Sequence, residues 1–157
     1  MAVTISLLAL IATFYQLHLQ RVHNEKSLMP LAQIDLVDRE KLAVHIQNNG
    51  VGPLIVSKVS FSQFDKTYPC IRDCLSLNPQ TFQHTPISPE TQKVIMPGAF
   101  LEIFSTIFDE TDSLEVQEKT RVELASILVI VEGRDIYKNK VSVKRSLEWF
   151  LRHSPAI

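Results

Sequence analysis

The chain is poor in the residues from which most active sites are assembled. Its 157 residues include four glycines (Gly50, Gly52, Gly98 and Gly133), two cysteines and one tryptophan. Scattered glycines cannot make a phosphate-cradling loop or a dinucleotide fingerprint, which gather several at one strand-to-helix turn. The lone Gly50-x-Gly52 reads as a turn. No serine sits in a G-x-S-x-G elbow. The histidines, His18, His23, His45, His84 and His153, lie in separate segments without an HExxH or a His-x-x-x-His pair, so no metal site and no cofactor is expected. Each reads as a solvated imidazole, His45 on the exposed face of a strand. With 16 basic and 17 acidic residues the net charge is -1, which lacks the basic excess of a nucleic-acid binder.

The most informative absence is local. Met1 to Gln20 holds no Asp, Glu, Lys or Arg, and every charged residue lies beyond it. Residues 2–19 form a nearly unbroken apolar run. As a helix these 18 residues measure about 27 Å, close to the ~30 Å hydrocarbon thickness of a bilayer. A secretory signal would carry a basic n-region and a small-x-small cleavage site, and neither is present. A helix buried in a soluble core would show one polar face, which Thr4, Ser6 and Thr13 do not make. The reading is a single-pass anchor over residues 1–20, contacting lipid through residues 2–19. Residues 21–30 follow as a helical continuation or short stalk, and 31–157 form the body. Arg21 and Lys26 flank the span on one side only, which by the positive-inside rule faces the body toward the cytoplasm.

The body reads as β structure. Leu42, Val44 and Ile46 alternate with Lys41, Ala43, His45 and Gln47, the period of a half-buried strand. Asn48-Asn49-Gly50 closes it as a tight turn requiring positive φ, and Leu54 to Phe64 follows as its antiparallel partner, with Ile55, Val59 and Phe61 on the inner face. Leu31 to Val37 precedes the pair as another strand. The proline-rich stretch Asp65–Pro97 is mainly loop, with one helical turn near Ile71 to Leu77. Phe100 to Phe108 reads as a central strand, and Asp109 to Thr120 as a short helix capped by Ser113. Val122 to Val131 reads as a second central strand. It turns at 132–135 into a strand from Ile136 to Lys144. In the tail, Leu147, Phe150 and Leu151 share one helical face that packs on the sandwich edge or, alternatively, lies on the membrane surface. Short strands with proline-rich joints and little helix predict a β-sandwich.

Two clusters offer chemistry. Cys70 and Cys74 would share a face of a helical turn: two reduced thiols in a cytoplasmic body, a disulfide in an exported one, or a redox pair or half of a metal site whose second pair of ligands is absent. The carboxylates Asp109, Glu110, Asp112, Glu115 and Glu118 read as a solvated surface rather than an acid–base pair. An enzyme would need two or three of His84, Cys70, Cys74 and these carboxylates in one pocket, and a non-catalytic body is the expectation.

The segments RVHNEKSLMP, NNGVGPLIVSKV, VEGRDIYKNK and SLEWF together resemble a set of small, uncharacterised bacterial proteins with an N-terminal transmembrane helix and one immunoglobulin-like β-sandwich domain. The resemblance rests on His23, Asn24, Ser27 and Pro30, on Asn49, Gly50, Gly52 and Pro53, on Asp135, Ile136 and Tyr137, and on Trp149 and Phe150. Lys138 stands where that pattern has glycine. The resemblance implies the bacterial inner (plasma) membrane and no particular activity. Read physically, the positions are architecture. Read functionally, Asn49, Gly50, Gly52 and Pro53 join Asp135, Ile136 and Tyr137 as one recognition edge for an unidentified protein partner, which an exposed sheet edge or the 65–97 loop would also serve.

Overall fold

The computed structural model describes residues 2–108 and 113–153. Helix α1 runs unbroken over Ala2–Ser27 with no buried residue, so Gln20 to Ser27 continues the apolar span as helix. The hydroxyls of Ser6, Thr13 and Ser27 donate to carbonyls four residues back, at 2.8 to 3.0 Å, hiding polar groups on a surface that is otherwise largely hydrocarbon. Among the described residues this is the one helix long and apolar enough to cross a membrane.

The body consists of β1 (Ala32–Asp38), β2 (Lys41–Asn48), β3 (Leu54–Gln63), β4 (Lys66–Tyr68), β5 (Gln83–His84), β6 (Lys93–Ile95), β7 (Phe100–Ile107), α2 (Leu114–Ala125), β8 (Leu128–Arg134) and β9 (Lys140–Ser146). One sheet has the order β1-β2-β7-β5, the other β4-β3-β8-β9, and β6 pairs with β3 beside β4. All pairings are antiparallel. The sheets face each other as a β-sandwich, as the sequence predicts, over a core that includes Val44, Ile46, Leu54, Val56, Phe61, Ile103, Phe104, Val129 and Val131.

Several boundaries differ from expectation for identifiable reasons. β2 and β3 are not partners. They lie in opposite sheets, and residues 48–53 carry the chain across the sandwich. None of Asn48, Asn49, Gly50 or Gly52 has positive φ, so no tight hairpin turn is made there. In β3 a register shift between Val56 and Lys58 reverses the inward phase. Leu54 and Val56 are buried before it and Val59 and Phe61 after it, while Ile55 turns partly outward. The 65–97 segment contains the short strands β4, β5 and β6 besides a 3-10 turn over Ile71–Cys74.

Ser113 caps α2 as expected, its hydroxyl accepting from the Val116 amide, but the helix continues to Ala125. Thr120 and Leu124, one turn apart, are both buried, so helical periodicity prevails over the β-prone residues that follow Lys119. Strand β8 therefore starts at Leu128, not Val122, and continues to Arg134. The turn that follows comprises Asp135 to Asn139, so Ile136 and Tyr137 lie in it rather than in β9. The C-terminal segment is a 3-10 turn over Glu148–His153 that buries Leu147 and Phe150 completely. Asp109, Glu110 and Asp112 lie outside the described residues.

Candidate functional site

The residues singled out by the sequence converge on the end of the sandwich where α1 enters. Asn48 organises it. Leu42, Val44 and Ile46 point inward, and Asn48 continues that series with a fully buried carboxamide. Its Oδ1 accepts from the amides of Leu31 and Gly50, both at 3.1 Å. Its Nδ2 donates to the carbonyls of Gly52 at 2.7 Å and Ile95 at 3.0 Å. Its backbone amide donates to Ala99 O at 3.0 Å, and its carbonyl accepts from Gly98 at 2.8 Å. One side chain therefore joins the segment leaving the helix, the crossover loop and the β6–β7 turn.

The glycines of this loop are explained by close approach. A Cβ on Gly52 would lie 1.8 Å from the Leu28 carbonyl oxygen, and one on Gly50 would lie 2.3 Å from the Leu31 amide nitrogen. Asn49 N donates to Leu31 O at 2.9 Å and Val51 N to Met29 O at 3.3 Å. The 48–53 segment is thus a seat for residues 28–31, fixing where the helix meets the body.

The second half of the expected edge is the Asp135–Asn139 turn. Arg134 pairs with Ile55 at the start of β3, so this turn lies at the same end of the sandwich. Asp135 is buried. It accepts from the amides of Tyr137 and Asn139 and from the Asn139 side chain, each at 2.8 Å, bonding the turn it starts. Lys138 has φ +70°, in the left-handed region where glycine carries no steric penalty, so lysine there holds the turn at some cost in strain. Ile136 and Tyr137 project partly into solvent.

No protein-family model matches the sequence, and no curated protein matches it closely enough to count as a relative. Among solved structures, the archaellum periplasmic stator protein FlaG from Sulfolobus acidocaldarius aligns over 74% of this chain and 100% of its own, at 10% identity and a TM-score of 0.30. A superposition that loose says nothing about role.

The remaining sequence candidates sit apart from this end. Cys70 and Cys74 are free thiols, the second buried. Burial first, then the neighbouring Asp73 and Cys70, pushes the Cys74 thiol up to about 11, which keeps it protonated and weakly nucleophilic. His84 pairs with Phe104 in β5, beside Phe82. Among the described residues no three His, Cys, Asp or Glu side chains lie close enough to hold a metal ion.

Two ionic clusters were not foreseen. His45, expected on an exposed face, has 13% of its side chain exposed. Its ring stacks on Phe100 at 4.5 Å, and its Nε2 lies 2.9 Å from Glu102 Oε2, the same oxygen that takes a 2.7 Å contact from Lys41. Burial raises the Glu102 carboxyl, but hydrogen bonds from Lys41, Ser105 and His45 and the charge of Lys41 outweigh it, bringing the pKa from 4.5 to about 2. A carboxylate depressed on folding stabilises the fold above its unfolded pKa and loses that contribution as pH falls from 4.5 toward 2. Because the cluster still touches solvent, Glu102→Gln is expected to cost about 1 kcal/mol near pH 7. Urea unfolding at about pH 7 and about pH 3 checks this: the gap between native and variant midpoints should narrow in acid.

At the far end of β1, Asp38 ties three elements together. Its side chain is 5% exposed and takes Arg121 of α2 at 3.1 and 3.4 Å, while Arg152 of the C-terminal turn lies 3.6 Å away. The Arg152 guanidinium also lies 3.2 Å from the Trp149 ring centroid. An acidic residue after a run of strand residues was the sole sequence signal, and its partners lie 83 residues or more away along the chain.

Proposed function

We propose that the chain is a membrane-tethered, non-catalytic binding or scaffolding module, held in a bacterial plasma membrane with its sandwich in the cytoplasm and presented to an unidentified protein partner. The observation that carries this is α1: an apolar helix with no buried residue, joined to the sandwich through the Asn48 carboxamide. A helix that covers no core in its own chain has hydrocarbon as its natural surroundings. Arg21 and Lys26 directly after the span favour the cytoplasmic side. The raised Cys74 thiol, protonated and weakly nucleophilic, supports a non-catalytic body.

The test is fractionation and affinity capture from detergent-solubilised membranes, comparing the full chain with one lacking residues 1–20. The full chain should pellet with membranes and retain a stoichiometric protein through the body. Recovery of the full chain in the soluble fraction would overturn the tether. Mass spectrometry of the non-reduced protein tests the side. Free Cys70 and Cys74 support the cytoplasm, whereas a quantitative disulfide supports an exported body at the outer face. Recovery of a chain cleaved after the span would make α1 a signal sequence.

A further inference from the structure

The end of the sandwich that receives α1 presents a group of apolar side chains that no other described residue covers. Val51 of the crossover loop, Met96 after β6 and Ile136 in the Asp135 turn are 65%, 59% and 46% exposed. Met29, Leu31 and Tyr137 are exposed beside them. Register places these groups together. Ala32 pairs with Asn48, Leu54 with Ile95 and Ile55 with Arg134, so the chain entry, crossover loop, β6–β7 turn and Asp135 turn all lie at one level. The same turn carries Lys138, with Lys140 opposite Arg134 and Lys26 at the end of α1.

The tether decides what meets this face. The eight residues Gln20 to Ser27 are helical and raise the body about 12 Å above the 2–19 span, while a headgroup layer is about 5 to 7 Å deep. An ordinary helix tilt of about 20 to 40° lowers the body and dips one rim by several ångströms more. That brings side chains of isoleucine and tyrosine length to the headgroups, and the lysines to the phosphates.

We propose that this end of the sandwich rests on the bilayer, with Val51, Met96, Ile136 and Tyr137 in the headgroup layer and Lys138 and Lys140 against lipid phosphate. The body is then held in one orientation instead of swinging on its stalk. The proposal rests on the anchor reading above.

It is tested with the full chain reconstituted in phosphatidylcholine–phosphatidylglycerol vesicles, in a Trp149→Phe background with single tryptophan reporters. Ile136→Trp, or Tyr137→Trp should the first misfold, reports the helix-bearing end. Phe64→Trp reports the opposite end of β3, about 33 Å away for a ten-residue strand. Phe14→Trp reports the span. A headgroup nitroxide lipid should quench the Ile136→Trp reporter several-fold more than Phe64→Trp, and acyl-chain bromine should quench Phe14→Trp. Equal nitroxide quenching at Ile136→Trp and Phe64→Trp, with Phe14→Trp still quenched by bromine, overturns the proposal and leaves the anchor standing. Loss of the Phe14→Trp signal overturns both. A blue-shifted but unquenched Ile136→Trp means that protein, not lipid, covers this end, and also overturns the proposal.

Discussion

Asn48→Ala is expected to lower the unfolding free energy of the sandwich by about 3 to 5 kcal/mol, because it strands two amide donors and two carbonyl acceptors that share one side chain. Water entering beside Leu31 and Gly50 recovers part of the loss, whereas Gly52 O and Ile95 O face the interior. Against a total stability of about 5 to 15 kcal/mol, the effect removes much of the margin. Asn48→Asp should do no better: it keeps one acceptor but turns a second oxygen, and a buried charge, toward two carbonyls. The control is the neighbouring, chemically identical residue. Asn49 donates to the exposed Gln33 side chain at 2.9 Å, and Asn49→Ala should cost less than about 0.5 kcal/mol. Chemical denaturation of the full chain in detergent, followed by the near-ultraviolet signal of Trp149, measures all three. Equal effects at the two asparagines would refute the role given to Asn48.

The second large effect is at Asp38. Removing its carboxylate leaves two arginines facing each other across the α2 and C-terminal contact. Deleting one partner of a buried ion pair costs about 3 to 5 kcal/mol. Here Arg121 keeps a 3.7 Å contact with Glu118 and Arg152 keeps Trp149, so Asp38→Ala should cost about 2 to 3 kcal/mol. The charge itself is tested by Asp38→Asn, which preserves shape and should recover less than half of the loss. A double-mutant cycle with Arg121→Ala should give a coupling above about 1 kcal/mol, and a value near zero would mean that the two side chains are neighbours without energetic consequence.

The local devices were legible in the sequence. The alternation of Leu42, Val44 and Ile46 marks β2 and Ser113 marks the start of α2, because each depends on neighbours within a few residues. What eluded the sequence depends on distant partners. Nothing in Leu54 to Gln63 announces the register shift that exchanges Ile55 for Val56 inside, since it is defined by pairing with Glu132 and Gly133, far along the chain in β8. Asn48 could have been found by parity: it occupies the next inward position after Ile46, and a polar group there requires partners. Gly50 and Gly52 were noticed as turn residues, whereas the structure uses their missing Cβ.

Strand pairing also sets an order on assembly during synthesis. β2 must wait for β7, β3 must wait for β8, and the Asn48 amide has no Ile95 carbonyl to reach until that residue has been made. Helix α1 precedes every strand along the chain, so it is made long before either sheet closes. Ribosomes at about 5 to 20 residues per second leave the first hairpin waiting several seconds with unpaired edges. The chain is thus exposed to misassembly until β9 and the buried Phe150 have been made, and a chaperone acting on this intermediate would act before the sandwich is closed.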